Sequence, residues 1–158
     1  MHPNGNYVAS GSSDRSVRIW EIGTGICSRH LTGHKGAVTS LVFSPHGHIL
    51  ASGDETGTIL VWDLSTGAHI GTLANHSGPV TSLAMTREGG VMLSGGMDSV
   101  INTWDLCYVV ENVENMTEYN ANEDVLINRS RTKSSPIMHL ATTRKNLVMG
   151  VSNYCPKS

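Results

Sequence analysis

Tryptophan occurs three times in this 158-residue chain, at Trp20, Trp62 and Trp104, and each lies 42 residues from the next. Ser10, Ser52 and Ser94 keep the same interval, as do His34 and His76. No other feature restricts the fold as much. A unit of this length cannot bury its apolar face alone. It must stack on copies of itself, which signals a propeller or an array.

The middle unit shows the pattern complete. Gly33-His34 leads into the alternating run Ala37 to Phe43, and a turn at Ser44-Pro45-His46-Gly47-His48 follows. Then come Ile49 to Gly53, the turn Asp54 to Gly57, Thr58 to Asp63, Ser65-Thr66-Gly67 and a last run, Ala68 to Leu73. Short β-type runs divided by Gly, Pro, Asp and Ser predict four strands. In the first unit, His2-Pro3-Asn4-Gly5-Asn6 aligns with the turn at 44–48. That unit therefore starts at its second strand and supplies Tyr7 to Gly11, Ser16 to Glu21 and Ile26 to Leu31. The third supplies Pro79 to Met85, Val91 to Gly95 and Val100 to Asp105.

The repeats thus occupy 1–106. Residues 107–124 hold Glu111, Glu114, Glu118, Glu123 and Asp124 and no base. Such a stretch buries little apolar area and reads as an acidic mobile loop, a candidate interaction segment. Residues 125–158 reverse sign and carry Arg129, Arg131, Lys133, Arg144, Lys145 and Lys157. Within them, Val125 to Arg131 reads as the delayed fourth strand of the third blade. Pro136 to Thr142 and Asn146 to Val151 read as the inner pair of a further blade, with Thr143-Arg144-Lys145 as their turn. The expected fold is all-β: a partial propeller of about three blades plus an incomplete one, where closure takes about 4–8. Such an arc is open. Its two ends are expected to expose Val8, Val17 and Ile19, and Ile137, Leu140, Leu147 and Val148, so the isolated chain is expected to self-associate.

Net charge is −2, which points to neither nucleic acid nor membrane. No apolar run approaches the roughly 18 residues of a membrane span. The first residues lack the regions of a signal peptide. Cys27, Cys107 and Cys155 show no metal-type spacing and read as reduced thiols.

His76, Ser94 and Asp98 together suggest a hydrolase triad. A triad occurs once per active site, however, whereas these residue types recur. Ser10, Asp14 and Trp20, then His34, Ser52 and Trp62, then His76, Ser94, Asp98 and Trp104 read instead as structural chains. Each would run from indole N–H to hydroxyl to imidazole to carboxylate. Thr56 stands where Asp14 and Asp98 stand in the other units, so the middle chain is expected to be the weakest. His46-Gly47-His48 falls on a turn and is not expected to bind metal. No catalytic residue and no cofactor are expected.

Gly33-His34, Trp62-Asp63 and Trp104-Asp105, with Trp20-Glu21 as a variant, resemble the Trp-Asp (WD) repeat over Met1 to Leu106. At finer grain the chain resembles the C-terminal part of the WD-repeat subunits of transcription factor TFIID and their SAGA-type paralogues. The cues include Leu31-Thr32-Gly33-His34-Lys35-Gly36, Phe43-Ser44-Pro45 and Gly96-Met97-Asp98-Ser99. After the repeats come Thr132-Lys133-Ser134-Ser135-Pro136 and Thr143-Arg144-Lys145-Asn146-Leu147-Val148. This resemblance implies a nuclear, non-enzymatic scaffold in transcription initiation whose partners are other TFIID or SAGA subunits, histone-fold subunits among them. The alternative is a WD-repeat adaptor elsewhere, such as a ubiquitin-ligase substrate receptor or a signalling scaffold.

Overall fold

The computed structural model describes residues 1–112, 124–132, 135–143 and 148–152. Thirteen strands and one helix are described, and every paired strand is antiparallel to its neighbour. β1 (Tyr7–Gly11), β2 (Ser16–Glu21) and β3 (Cys27–Thr32) form the first sheet. β4 (Val38–Phe43), β5 (Ile49–Asp54), β6 (Thr58–Asp63) and β7 (His69–Ala74) form the second. The third joins β8 (Val80–Met85), β9 (Val91–Gly96), β10 (Val100–Asp105) and β11 (Leu126–Arg131). β12 (Ile137–Thr142) and β13 (Val148–Ser152) pair alone. The stack is open, as the partial-propeller expectation required.

Each sheet packs face to face on the next, and a repeated glycine sets the approach. A Cβ on Gly11 would lie 2.5 Å from Val38 Cγ1, one on Gly53 2.7 Å from Val80 Cγ1, and one on Gly95 2.5 Å from Ile137 Cγ2. These glycines are 42 residues apart, and each touches the first residue of the next innermost strand. The same strands are bulged beside that residue, between Val38 and Ser40 and between Val80 and Ser82. The bulged Thr39 turns its hydroxyl to the Val80 carbonyl of the next sheet at 2.6 Å. Thr81 does the same to the Ile137 carbonyl.

Alternation decides what the open ends present. Val17 and Ile19 were expected at the exposed first end, but both point at the second sheet and are buried with Leu50, Leu60 and Trp62. Ile137 and Leu140 likewise face the third sheet, beside Ala84 and Leu93. Val8 does face outward, as expected, at 39% exposed; at the other end the outward residue is Met138, beside Ile137, at 47%. Leu147 lies outside the described residues.

The expected loop begins later than the composition suggested. Residues 106–111 form the helix α1 (Leu106–Glu111), capped by the Asp105 carboxylate, which accepts the Tyr108 amide at 3.1 Å. Leu106 and Val109, one turn apart, are fully buried against the second and third sheets. An N-cap and one apolar stripe outweighed the acidic composition. Glu114, Glu118 and Glu123 lie outside the described residues.

The close glycine contact predicts a sharp contrast. Gly53→Ala places a methyl against Val80 and Ser40 Oγ and should cost about 1–3 kcal/mol. Gly23→Ala meets nothing within 4 Å and should leave thermal unfolding nearly unchanged. Equal midpoints for the two variants would contradict the packing described.

Candidate functional site

The residues singled out by the repeat come together, but differently in each sheet. In the third, the Trp104 indole donates to Ser94 Oγ at 2.8 Å, and Ser94 lies 2.8 Å from His76 Nε2. His76 Nδ1 faces both Asp98 oxygens at 3.0 Å. The carboxylate also accepts the amides of Ser77 and Val100. Burial pushes the Asp98 carboxyl up, but the His76 and amide hydrogen bonds outweigh it and hold the group below its ordinary range. Ser94 is wholly enclosed. Its hydroxyl faces indole and imidazole, leaving no approach for a substrate carbonyl.

The middle sheet corrects the expectation that Thr56 leaves its chain the weakest. Trp62 donates to Ser52 Oγ at 2.8 Å, and Ser52 lies 2.6 Å from His34 Nε2. The carboxylate comes from Asp54, whose Oδ2 takes His34 Nδ1 at 2.9 Å. Thr56 supports it, donating its hydroxyl at 2.6 Å and its amide at 2.9 Å to Asp54 Oδ1, where the Thr58 amide also binds. Asp54 and Ser52 are both fully buried. Burial holds the His34 imidazole below its ordinary 6.5, against the pull of Asp54, so the ring is neutral. Burial raises the Asp54 carboxyl, but the bonds from Thr56, His34 and Thr58 outweigh that and keep it ionised. Protons are therefore assigned in one direction: indole to hydroxyl, hydroxyl to Nε2, Nδ1 to carboxylate.

Position 54 corresponds to Gly96 in the third sheet. A Cβ on Gly96 would lie 2.7 Å from both Asp98 Oδ1 and His76 Nδ1. The two sheets thus fill one space from two positions. Either the strand's last residue brings the carboxylate, or a glycine there makes room for an aspartate two residues on.

In the first sheet the chain is cut short. Trp20 donates to Ser10 at 2.9 Å, but Ser10 is exposed and no imidazole reaches it among the described residues. Asp14 turns to Ser16 and Arg18 instead, and these bonds hold its carboxyl well below the carboxylate range. His46 and His48 are exposed on their turn. Among the described residues no group of three or more His, Cys, Asp or Glu is placed to hold a metal. No described helix is long and apolar enough to cross a membrane. Of the acidic segment, Glu111 and Asp124 are described, and both are exposed.

Comparison with known proteins gives a consistent family and several relatives. The model of the WD domain, G-beta repeat (WD40), matches residues 1–21, 25–63 and 67–105. The chain is 46% identical over 43 residues to Transcription initiation factor TFIID subunit 5 of Caenorhabditis elegans, which covers 27% of the chain and 7% of that protein. A Lissencephaly-1 homolog of Glossina morsitans morsitans is 45% identical over 42 residues, covering 27% and 10%. The Nuclear distribution protein PAC1 of Scheffersomyces stipitis is 36% identical over 50 residues, covering 28% and 10%. The chain thus spans a tenth or less of the length of these relatives. Among solved structures, that of U3-55K superposes with a TM-score of 0.76 at 21% identity, over 89% of this chain and 40% of that one.

Two expectations follow from the chains. Asp54→Gly removes the middle carboxylate and should lower stability by about 1–3 kcal/mol. Adding Thr56→Asp rebuilds the third sheet's arrangement and should recover most of the loss. A double variant no better than the single would refute the equivalence of the two positions.

Acid should act through His34 first. Its folded-state value lies below its unfolded 6.5, so the unfolded chain takes up the proton more readily. The stability it contributes is intact above about pH 6.5 and is lost as pH falls through the lowered value. Asp54 and Asp98, also depressed, lose theirs only below about pH 4. The melting temperature should therefore drop between pH 7.5 and 5.5, and drop less in His34→Gln. An identical drop in that variant would exclude His34 as the source.

Proposed function

The chain belongs to the WD40-repeat family, and from that premise we propose that it is a non-enzymatic protein-interaction scaffold of RNA polymerase II transcription initiation, working in the nucleus as a subunit of TFIID or SAGA. The observation that carries this reading is the run of residues after the last repeat. Thr132-Lys133-Ser134-Ser135-Pro136 and Thr143-Arg144-Lys145-Asn146-Leu147-Val148 resemble the corresponding stretches of the TFIID WD-repeat subunits, and the chain matches one such subunit over 43 residues. A WD40 propeller generally serves as an interaction scaffold, and the enclosure of Ser52 and Ser94 fits that use. On this reading the partners are other subunits of the assembly, histone-fold subunits among them. The same reading makes the acidic stretch 107–124 a contact segment; its described acids Glu111 and Asp124 are exposed, as are the basic Arg129 and Arg131 on β11.

A second reading, an adaptor of another assembly, is favoured by the match to the Lissencephaly-1 homolog, at nearly the same identity, and by the weaker one to PAC1. Affinity purification of the tagged protein from its own cells separates the two. Co-purification of the TATA-binding protein and TFIID or SAGA subunits is expected. A reproducible set of partners containing none of these would overturn the transcription reading in favour of the second.

A further inference from the structure

Between the first and second sheets lies a cleft of about 210 Å³. Tyr7, Ile19, Phe43 and Leu64 give it apolar walls, and Arg29 and His48 add polar groups. It is smaller than the roughly 300–1,000 Å³ of a small-molecule pocket and suits one or two side chains. One edge is fastened by His2, whose ring stands edge-on to Tyr7 and Phe43 and whose Nε2 lies 2.9 Å from the Gly47 carbonyl. Arg29 reaches across from β3, and its Nη2 donates to the Ser65 carbonyl at 2.9 Å. Among the described residues no carboxylate pairs with this guanidinium. Nearby, Asp63 spends its oxygens on Ser65 and Thr66.

The same molecule shows what such a cleft accepts. Forty-two residues on, between the second and third sheets, Leu106 takes the place of Leu64 and Gly71 that of Arg29. There α1 packs against β7 and β9 and buries Val109 completely. Gly90, in the place of His48, sits directly under the Cys107 sulfur. That cleft is filled from within by apolar side chains. At the first cleft the chain instead turns tightly through Ser65-Thr66-Gly67, leaving the space open and lined with a cation.

We propose that the cleft between the first two sheets docks an acidic segment of a partner protein. An apolar side chain enters beside Tyr7 and Phe43, as Val109 does next door, and an adjacent carboxylate meets the Arg29 guanidinium. The proposal rests on the scaffold reading above and adds a site to it. An Arg–carboxylate contact at the mouth of an apolar cleft is charge-assisted and geometrically selective.

The probe is a fluorescent synthetic peptide of alternating Leu and Glu, with its Leu/Gln counterpart as the neutral control, titrated into the purified full chain by anisotropy. The acidic peptide should bind about tenfold or more tightly than the neutral one. Arg29→Glu should abolish that preference, and Ser28→Trp, which fills the cleft, should abolish binding. Lys35→Ala, an exposed cation elsewhere, should change nothing. Equal binding of the two peptides, or acidic-peptide binding that survives Arg29→Glu, would overturn the site. No peptide binding by a wild-type chain that still co-purifies with its assembly overturns the cleft alone. Loss of both would take the scaffold reading with it.

Discussion

One buried hydroxyl in each of the second and third repeats organises the rest. Ser52 and Ser94 each accept an indole N–H and lie within hydrogen-bond distance of an imidazole Nε2. A serine oxygen shut away from water without partners would cost about 1–3 kcal/mol, so its place requires both rings. The indole comes from the sheet's third strand, and the imidazole from the segment that enters from the sheet before. One atom therefore ties a sheet to the connection between sheets. The glycine contacts act at the same seam, bringing neighbouring sheets close enough for the connection to reach.

The carboxylate that completes the chain has more freedom than the serine. Asp54 and Asp98 sit two positions apart in register yet deliver charge to equivalent atoms, His34 Nδ1 and His76 Nδ1. What matters is that an oxygen occupies that point, not which residue carries it. Gly96 is the other half of the trade, since its missing side chain is the space that Asp98 enters. The turn must also place a residue at positive φ before the third strand. Arg15, Gly57 and Ser99 do so at 68°, 90° and 61°. Only in the middle turn does a neighbouring carbonyl, that of His76, lie 2.3 Å from where a Cβ would be. There the glycine is required by both conformation and space.

Most strand positions were legible because turns punctuate them at a fixed interval, and the open stack followed from counting. Errors arose where a fixed offset met flexible geometry. Offset 42 pairs Thr56 with Asp98, but the hydrogen-bonding position in the middle sheet belongs to Asp54, and nothing in composition distinguishes the two. The direction of Val17 and Ile19 was missed because a strand buried on one side only has no pattern beyond alternation, whose phase the sequence leaves free. α1 did leave a signal, an aspartate followed by apolar residues at 106 and 109, hidden by the acidic residues after it. Asn102 left none. It occupies the place of Leu60, fully buried, with neither amide atom bonded to another described group.

The first sheet shows how much of the stability of each unit belongs to its neighbour. Val8, Leu50 and Met92 occupy equivalent positions, yet Val8 is 39% exposed while the other two are fully buried. Ser10 makes the same indole bond as Ser52 and Ser94, but in solvent and without the imidazole that would enclose it. Sequence type is nearly constant across the three; covering is what differs. A hydrogen bond open to water contributes little net energy, whereas the same bond under a neighbouring sheet is strengthened by low dielectric and is costly to break. In a stack of this kind the network is therefore a consequence of the seam as much as its cause.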